Sequence, residues 1–214
     1  MPRPVSESEK VATSMAYRKV LPLAISEKLV DLVAEHVRLH LVETHNLDPA
    51  LADAMSIAGR ERAIVDLVDQ AGRASDMKAF AGHLHRDGKL TPSLLLRALA
   101  RGQMALFEHA VAELASTPHQ RAWLMVHDAG PLGFKAIYDR AGLPPRLFQA
   151  FRAGVDTWRT LQAEGADTAG EDFRQRMLQR FLTQRPNAPR DDLAYLLERL
   201  DQAPVILTTI RDAA

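Results

Sequence analysis

Histidines are the first residues in this sequence with chemistry to offer. His36 and His40 are four apart, which puts both rings on one face of a helix. A zinc-protease helix would read H-E-x-x-H, but Val37 follows the first histidine and no acid separates the pair. His45, Glu35 and Glu43 complete a metal-ligand set only if folding gathers them. The pair borders an apolar stripe, so core or interface histidines with one satisfied nitrogen are the simpler reading. His36 also fits a phosphate-accepting role on a long antiparallel helix pair. That chemistry needs an exposed imidazole and a cation to hold the phosphoryl group, and Arg38, at i+2, points away.

The remaining candidates converge less. His83 and His85, with Arg86 and Asp87, end a short helix, where cations suit the negative end of the dipole. His109, His119 and His127 are spread through the middle of the chain. His127-Asp128 ahead of Gly130 suits a hydrogen-bonded helix end; a charge relay would also need a nucleophile, and neither Ser93 nor Ser116 lies in a G-x-S-x-G elbow. The acid pairs Asp191-Asp192 and Glu171-Asp172 fall in first turns of expected helices, where negative charge stabilises the dipole. No phosphate-cradling glycine loop occurs. No catalytic residue, no cofactor and no metal is therefore assigned, with His36 and His40 kept as weak metal candidates.

The elements that must carry these residues are helices. Apolar residues make up 47% of the 214, enough for a packed core. Lys+Arg and Asp+Glu are 27 each, so the basic excess expected of a phosphate-binding protein is missing. The helix pair from Thr91 to Leu114 offers only Arg97 and Arg101 against Glu108 and Glu113, which argues against a DNA-reading helix. Nucleic acid is disfavoured as a partner. There are no cysteines, which removes disulfides and thiolate sites and fits a reducing compartment. The polar start MPRPVSESEK has no apolar signal core, and no apolar run nears the roughly 20 residues of a membrane span. The cytoplasm is the expected location.

Strand alternation is scarce and helix punctuation frequent. Ser26 is expected to cap a helix running to about His45, with Leu29, Val33, Val37 and Leu41 as its stripe. Asp48-Pro49 starts a second long helix, stopped by Gly72, and Ser75 opens a short one closed by Gly88. Thr91-Pro92, Thr117-Pro118 and Pro144-Pro145 then start helices at intervals of 26 or 27 residues, with partner helices between them. Such a unit suits stacked helix pairs, and a closed bundle with shared capping chemistry is the alternative. Three amphipathic segments follow, led by Leu147–Leu161, Phe173–Leu182 and Leu193–Leu200. The expected organisation is a tail over 1–20, a helical-repeat domain over 21–160 and C-terminal helices over 161–214 packed on or beside it.

Three stretches carry a resemblance: LPLAISEKLVDLVAEHVRLHLVETHNLD, LTPSLLLRALARGQMALFEHAVAELA and HDAGPLGFKAIYDRAGLP. On these the chain resembles a bacterial domain-of-unknown-function family of HEAT-like helical-repeat proteins, over about two thirds of its length. The resemblance implies an all-α fold and no activity, and it transfers no functional residue.

The function expected on these grounds is a non-enzymatic protein-interaction or scaffold module, with a protein partner or a homodimer. Trp123, Phe134, Tyr138, Phe148, Phe151 and Trp158 form the candidate contact surface if they are exposed together, and core if they are not. The rival expectations are a histidine-centred phosphotransfer or metal-dependent protein and a DNA-binding regulator.

Overall fold

The computed structural model describes residues 21–72, 76–128, 130 and 132–200. Among these residues there are ten α-helices and no strand, so the chain is all-α. Its contacts divide it into one unit ending at Asp76 and another starting at Met77. The C-terminal helices, grouped by sequence over 161–214, pack onto the helix Pro92–Ala100.

The first unit is a hairpin of α1 (Leu23–His45) and α2 (Pro49–Ala71). Helix α1 begins a turn earlier than Ser26, after Pro22, so Ser26 is an internal residue rather than the cap. Ser26 instead donates its backbone N–H to the Pro22 carbonyl, 3.1 Å away. At the other end Asn46 takes the left-handed conformation at φ 50°, which short polar side chains tolerate best among non-glycines. Asp48 then caps α2, its carboxylate accepting from the Leu51 N–H at 3.0 Å, with Pro49 at the first helical position. Only three residues join the helices, so they return antiparallel and pack along their length.

The second unit holds α3 (Met77–Arg86), α4 (Pro92–Ala100), α5 (Met104–Leu114), α6 (His119–Val126), α7 (Gly133–Arg140), α8 (Phe148–Glu164), α9 (Gly170–Gln184) and α10 (Arg190–Arg199). A 3-10 turn at Pro145–Leu147 leads into α8. Thr91 caps α4 by accepting from the Leu94 N–H at 3.0 Å. Every residue of α4 from Ser93 to Ala100 is buried, as its apolar residues on several faces require. Neighbours α5, α8, α9 and α10 surround it. A stacked solenoid confines contacts to adjacent repeats; the meeting of α4 with α9 and α10 goes beyond that wiring.

Close approach is built in at two glycines. A Cβ on Gly154 of α8 would lie 2.6 Å from Leu99 Cδ2 of α4, so the two helices touch backbone to side chain. Gly102, at φ +74°, would place a Cβ 2.1 Å from the Thr168 carbonyl, so only glycine lets the α8–α9 loop cross there. Polar pins hold α10 on α4: Arg97 donates to the Glu198 carbonyl at 3.3 Å, and Arg199 Nε donates to Ser93 Oγ at 3.0 Å. No helix among the described residues is long and apolar enough to cross a membrane.

Candidate functional site

The hairpin leaves part of its apolar surface open. Val33, Val37 and Met55 are 64%, 48% and 52% exposed. They border a trough of about 480 Å³ between α1 and α2. Its α1 wall carries branched residues at helical spacing, Leu29, Val33, Val37 and Leu41 with Val30 beside them. Its α2 wall is mostly small: Ala52, Ser56, Gly59 and Ala63, with Met55 and Arg60 as the exceptions. The rim carries two guanidiniums and three carboxylates, paired within the hairpin. Arg38 pairs with Glu35 at 2.6 Å and with Asp53 of the other helix at 3.2 Å, and Arg60 reaches Asp31 at 3.8 Å. The Arg38 hydrogen bond holds the Glu35 carboxyl below the usual carboxylate range. Among the described residues, seven exposed large apolar side chains sit on this hairpin and three on all the rest. Leu32, Leu39, Leu51 and Ile57 are the other four of the seven, outside the trough lining.

His36 and His40 are both exposed on α1. His40 Nδ1 lies 3.2 Å from Thr44 Oγ1, and its ring meets His45 edge-on with centroids 5.4 Å apart. Neither histidine joins a three-residue cluster of metal-capable atoms among the described residues. Arg38, engaged by Glu35 and Asp53, is not directed at His36.

Three histidines that are distant in sequence meet in the second unit. The loop between α5 and α6 turns at Ser116, φ 46°, and is tied down by Thr117 Oγ1 and Arg140 Nε, which both donate to the Ala115 carbonyl. That turn lays α6 back along α5. Glu108 of α5 is buried, and His127 Nε2 lies 2.6 Å from its Oε1. His119 Nε2 stands 3.6 Å from Oε2 of the same carboxylate, and the His119 ring stacks on His109 at 3.7 Å. Trp123 and Trp158 flank His127, with centroids at 4.9 and 5.2 Å. The Glu108 carboxylate fixes the ring orientation of His127, while His119 stands beyond hydrogen-bond distance of it. Neither the hairpin trough nor the polar groove between α8 and α9 is lined by these residues. Sequence reading scatters His109, His119 and His127 one per helix; it contains nothing that aims them at Glu108.

Asp128 next to this group is a cap rather than a relay partner of His127. Its carboxylate accepts from the Gly130 and Gly133 N–H groups, both at 3.0 Å, and so orders the entry to α7. The Gly130 hydrogen bond, with that of Gly133 and the charge of Arg152, holds the Asp128 carboxyl below its usual range. A Cβ on Gly133 would fall 2.3 Å from that carboxylate, so the cap demands glycine.

The aromatic residues proposed as a contact surface divide. Phe134, Tyr138 and Phe151 are completely buried, and Phe148 is half-buried. They pack on one another and on Phe107, with ring centroids 5.1–5.9 Å apart. Burial also pushes the Tyr138 hydroxyl upward in pKa, while its O–H donates to the Pro144 carbonyl at 2.7 Å. These residues are core because α7 and α8 face each other across them. Trp123 alone of the six is exposed, and Trp158 is half-buried.

The fold and the open trough define an all-helical protein that presents an apolar helix-hairpin face. The chain belongs to the family of uncharacterised proteins conserved in bacteria (DUF2336), whose model matches residues 2–191. No curated protein and no solved structure matches the chain.

Proposed function

We propose that this protein is a non-enzymatic interaction or scaffold module whose contact surface is the α1–α2 hairpin. The observation that carries this reading is the trough itself, with Val33, Val37 and Met55 open to solvent around it. Apolar faces of this kind on soluble domains serve as contact sites, and a groove between two helices accepts a third helix by its i, i+3, i+4, i+7 anchors. The trough is lined by none of the Glu108, His119 and His127 side chains, so this reading does not draw on them.

A photo-reactive residue tests the reading in the living cell. Placed at position 37, on the trough, it is expected to cross-link to a helical segment. Placed at Lys28, exposed but outside the trough lining, it is expected to give little. Equal cross-linking at both positions, or none at 37, overturns the proposal.

A further inference from the structure

We infer that the partner of the hairpin face is a second copy of this chain, the two hairpins packing about a two-fold axis into a four-helix bundle. The inference rests on the interaction reading above and adds the identity of the occupant.

Shape is the first argument. A two-fold interface uses the same patch twice, so that patch must hold both the protruding parts and the recesses that receive them. The hairpin does: α1 contributes Val33 and Val37 as knobs, and α2 contributes Ala52, Ser56, Gly59 and Ala63 as the recess. Turning one copy over another lays α1 on the partner's α2 and fills both troughs at once. Small residues alone would specify nothing, but here they face an unfilled cavity bordered by exposed branched side chains.

Charge is the second argument. Arg38 and Arg60 are already matched by Glu35, Asp53 and Asp31 of their own hairpin. With both guanidiniums already paired inside their own hairpin, a second copy meets no unmatched Arg38 or Arg60 charge at the rim. A rim of one sign would instead have called for a partner of the opposite sign.

Area is the third. Two helices of 23 residues present a face about 34 Å long and about 20 Å wide. That is on the order of 700 Å² per copy, close to the roughly 800 Å² each partner gives to a stable interface.

The sequence supplies its own tool for the test, because it has no cysteine. A Val37→Cys chain carries a single spin label near the middle of α1. In the two-fold bundle the two labels lie within about 25 Å, since packed helices are only 8–10 Å apart. Light scattering on the unlabelled wild-type chain is expected to give twice the 23.7 kDa chain mass. The combined variant Val33→Glu, Val37→Glu, Met55→Glu is expected to give the single mass with an unchanged helical circular dichroism spectrum. A variant that loses its helical spectrum is replaced by Gly59→Leu, which fills the recess and is expected to weaken the dimer at least tenfold.

A dimer that survives both variants, or labels beyond reach of one another, overturns the inference. A monomeric wild type overturns it too. If position 37 in that monomer still cross-links to another protein, the interaction reading survives with a different occupant. If the label there is immobilised without any partner, another segment of the same chain fills the trough, and both readings fail.

Discussion

The two units of this protein solve the same problem to different degrees. Around α4 and α5 the apolar side chains are consumed: Leu94, Leu95, Leu96, Leu99, Phe107, Tyr138 and Phe151 are all sealed from water. Along α1 and α2 the same kinds of residue recur at the same spacing, yet Val33, Val37 and Met55 stay open. The lesson is that helical periodicity sets which residues share a stripe, while the number of neighbouring helices sets whether the stripe is covered. Helix α4 has four neighbours that close over it. Beside Val33, Val37 and Met55, α1 and α2 cover each other only along the strip where they touch.

Side-chain truncation should expose the contrast most strongly. Phe107→Ala or Phe151→Ala is expected to lower the unfolding free energy by about 3–5 kcal/mol, because each leaves a cavity inside a stacked aromatic group. Val37→Ser, read in urea melts of dilute protein, is expected to change it by no more than about 0.5 kcal/mol. Comparable losses at both places would mean that the hairpin face is core, and would erase the distinction drawn here.

Adding one methyl group to a helical glycine should give opposite signs in the two units. Gly154→Ala drives a Cβ into Leu99 and is expected to cost about 1–3 kcal/mol. Gly59→Ala meets nothing within 4 Å and is expected to stabilise α2 by up to about 1 kcal/mol, since alanine loses less backbone freedom there. Thermal melts of the two variants check the pair.

Helix caps should matter about equally on both sides. Asp48→Ala and Thr91→Ala are each expected to cost about 1 kcal/mol, since each releases one helix N–H from its acceptor. A smaller effect, and one that depends on pH, belongs to Asp128. Its carboxyl is held low by the Gly130 and Gly133 N–H groups, so its contribution is present above the ordinary carboxylate range. It fades as pH falls through the lowered value. Acid titrations of wild type and Asp128→Asn should therefore differ near neutrality and converge in strong acid.

Much of this was legible in the residues. Asp48-Pro49 and Thr91-Pro92 start helices where their caps and prolines say they should, and the apolar character of α4 on several faces announces its burial. Ser26 misleads because a serine can sit within a helix once Pro22 has already set the start. The aromatic residues could be read as surface or core, since periodicity names a face without naming its neighbour. The Glu108, His119 and His127 group was hidden for a different reason. It depends on the left-handed turn at Ser116, and no local pattern reveals where two helices will cross. The Ser75 start falls outside the described residues.

Hydrogen exchange of the full-length protein, followed across a wide dilution series, tests the central claim most directly. If the hairpin face is covered by association, protection over Val33–Leu41 and Ala52–Ala63 falls with dilution while that of α4 and α5 stays constant. Protection that is independent of concentration throughout the chain would contradict it.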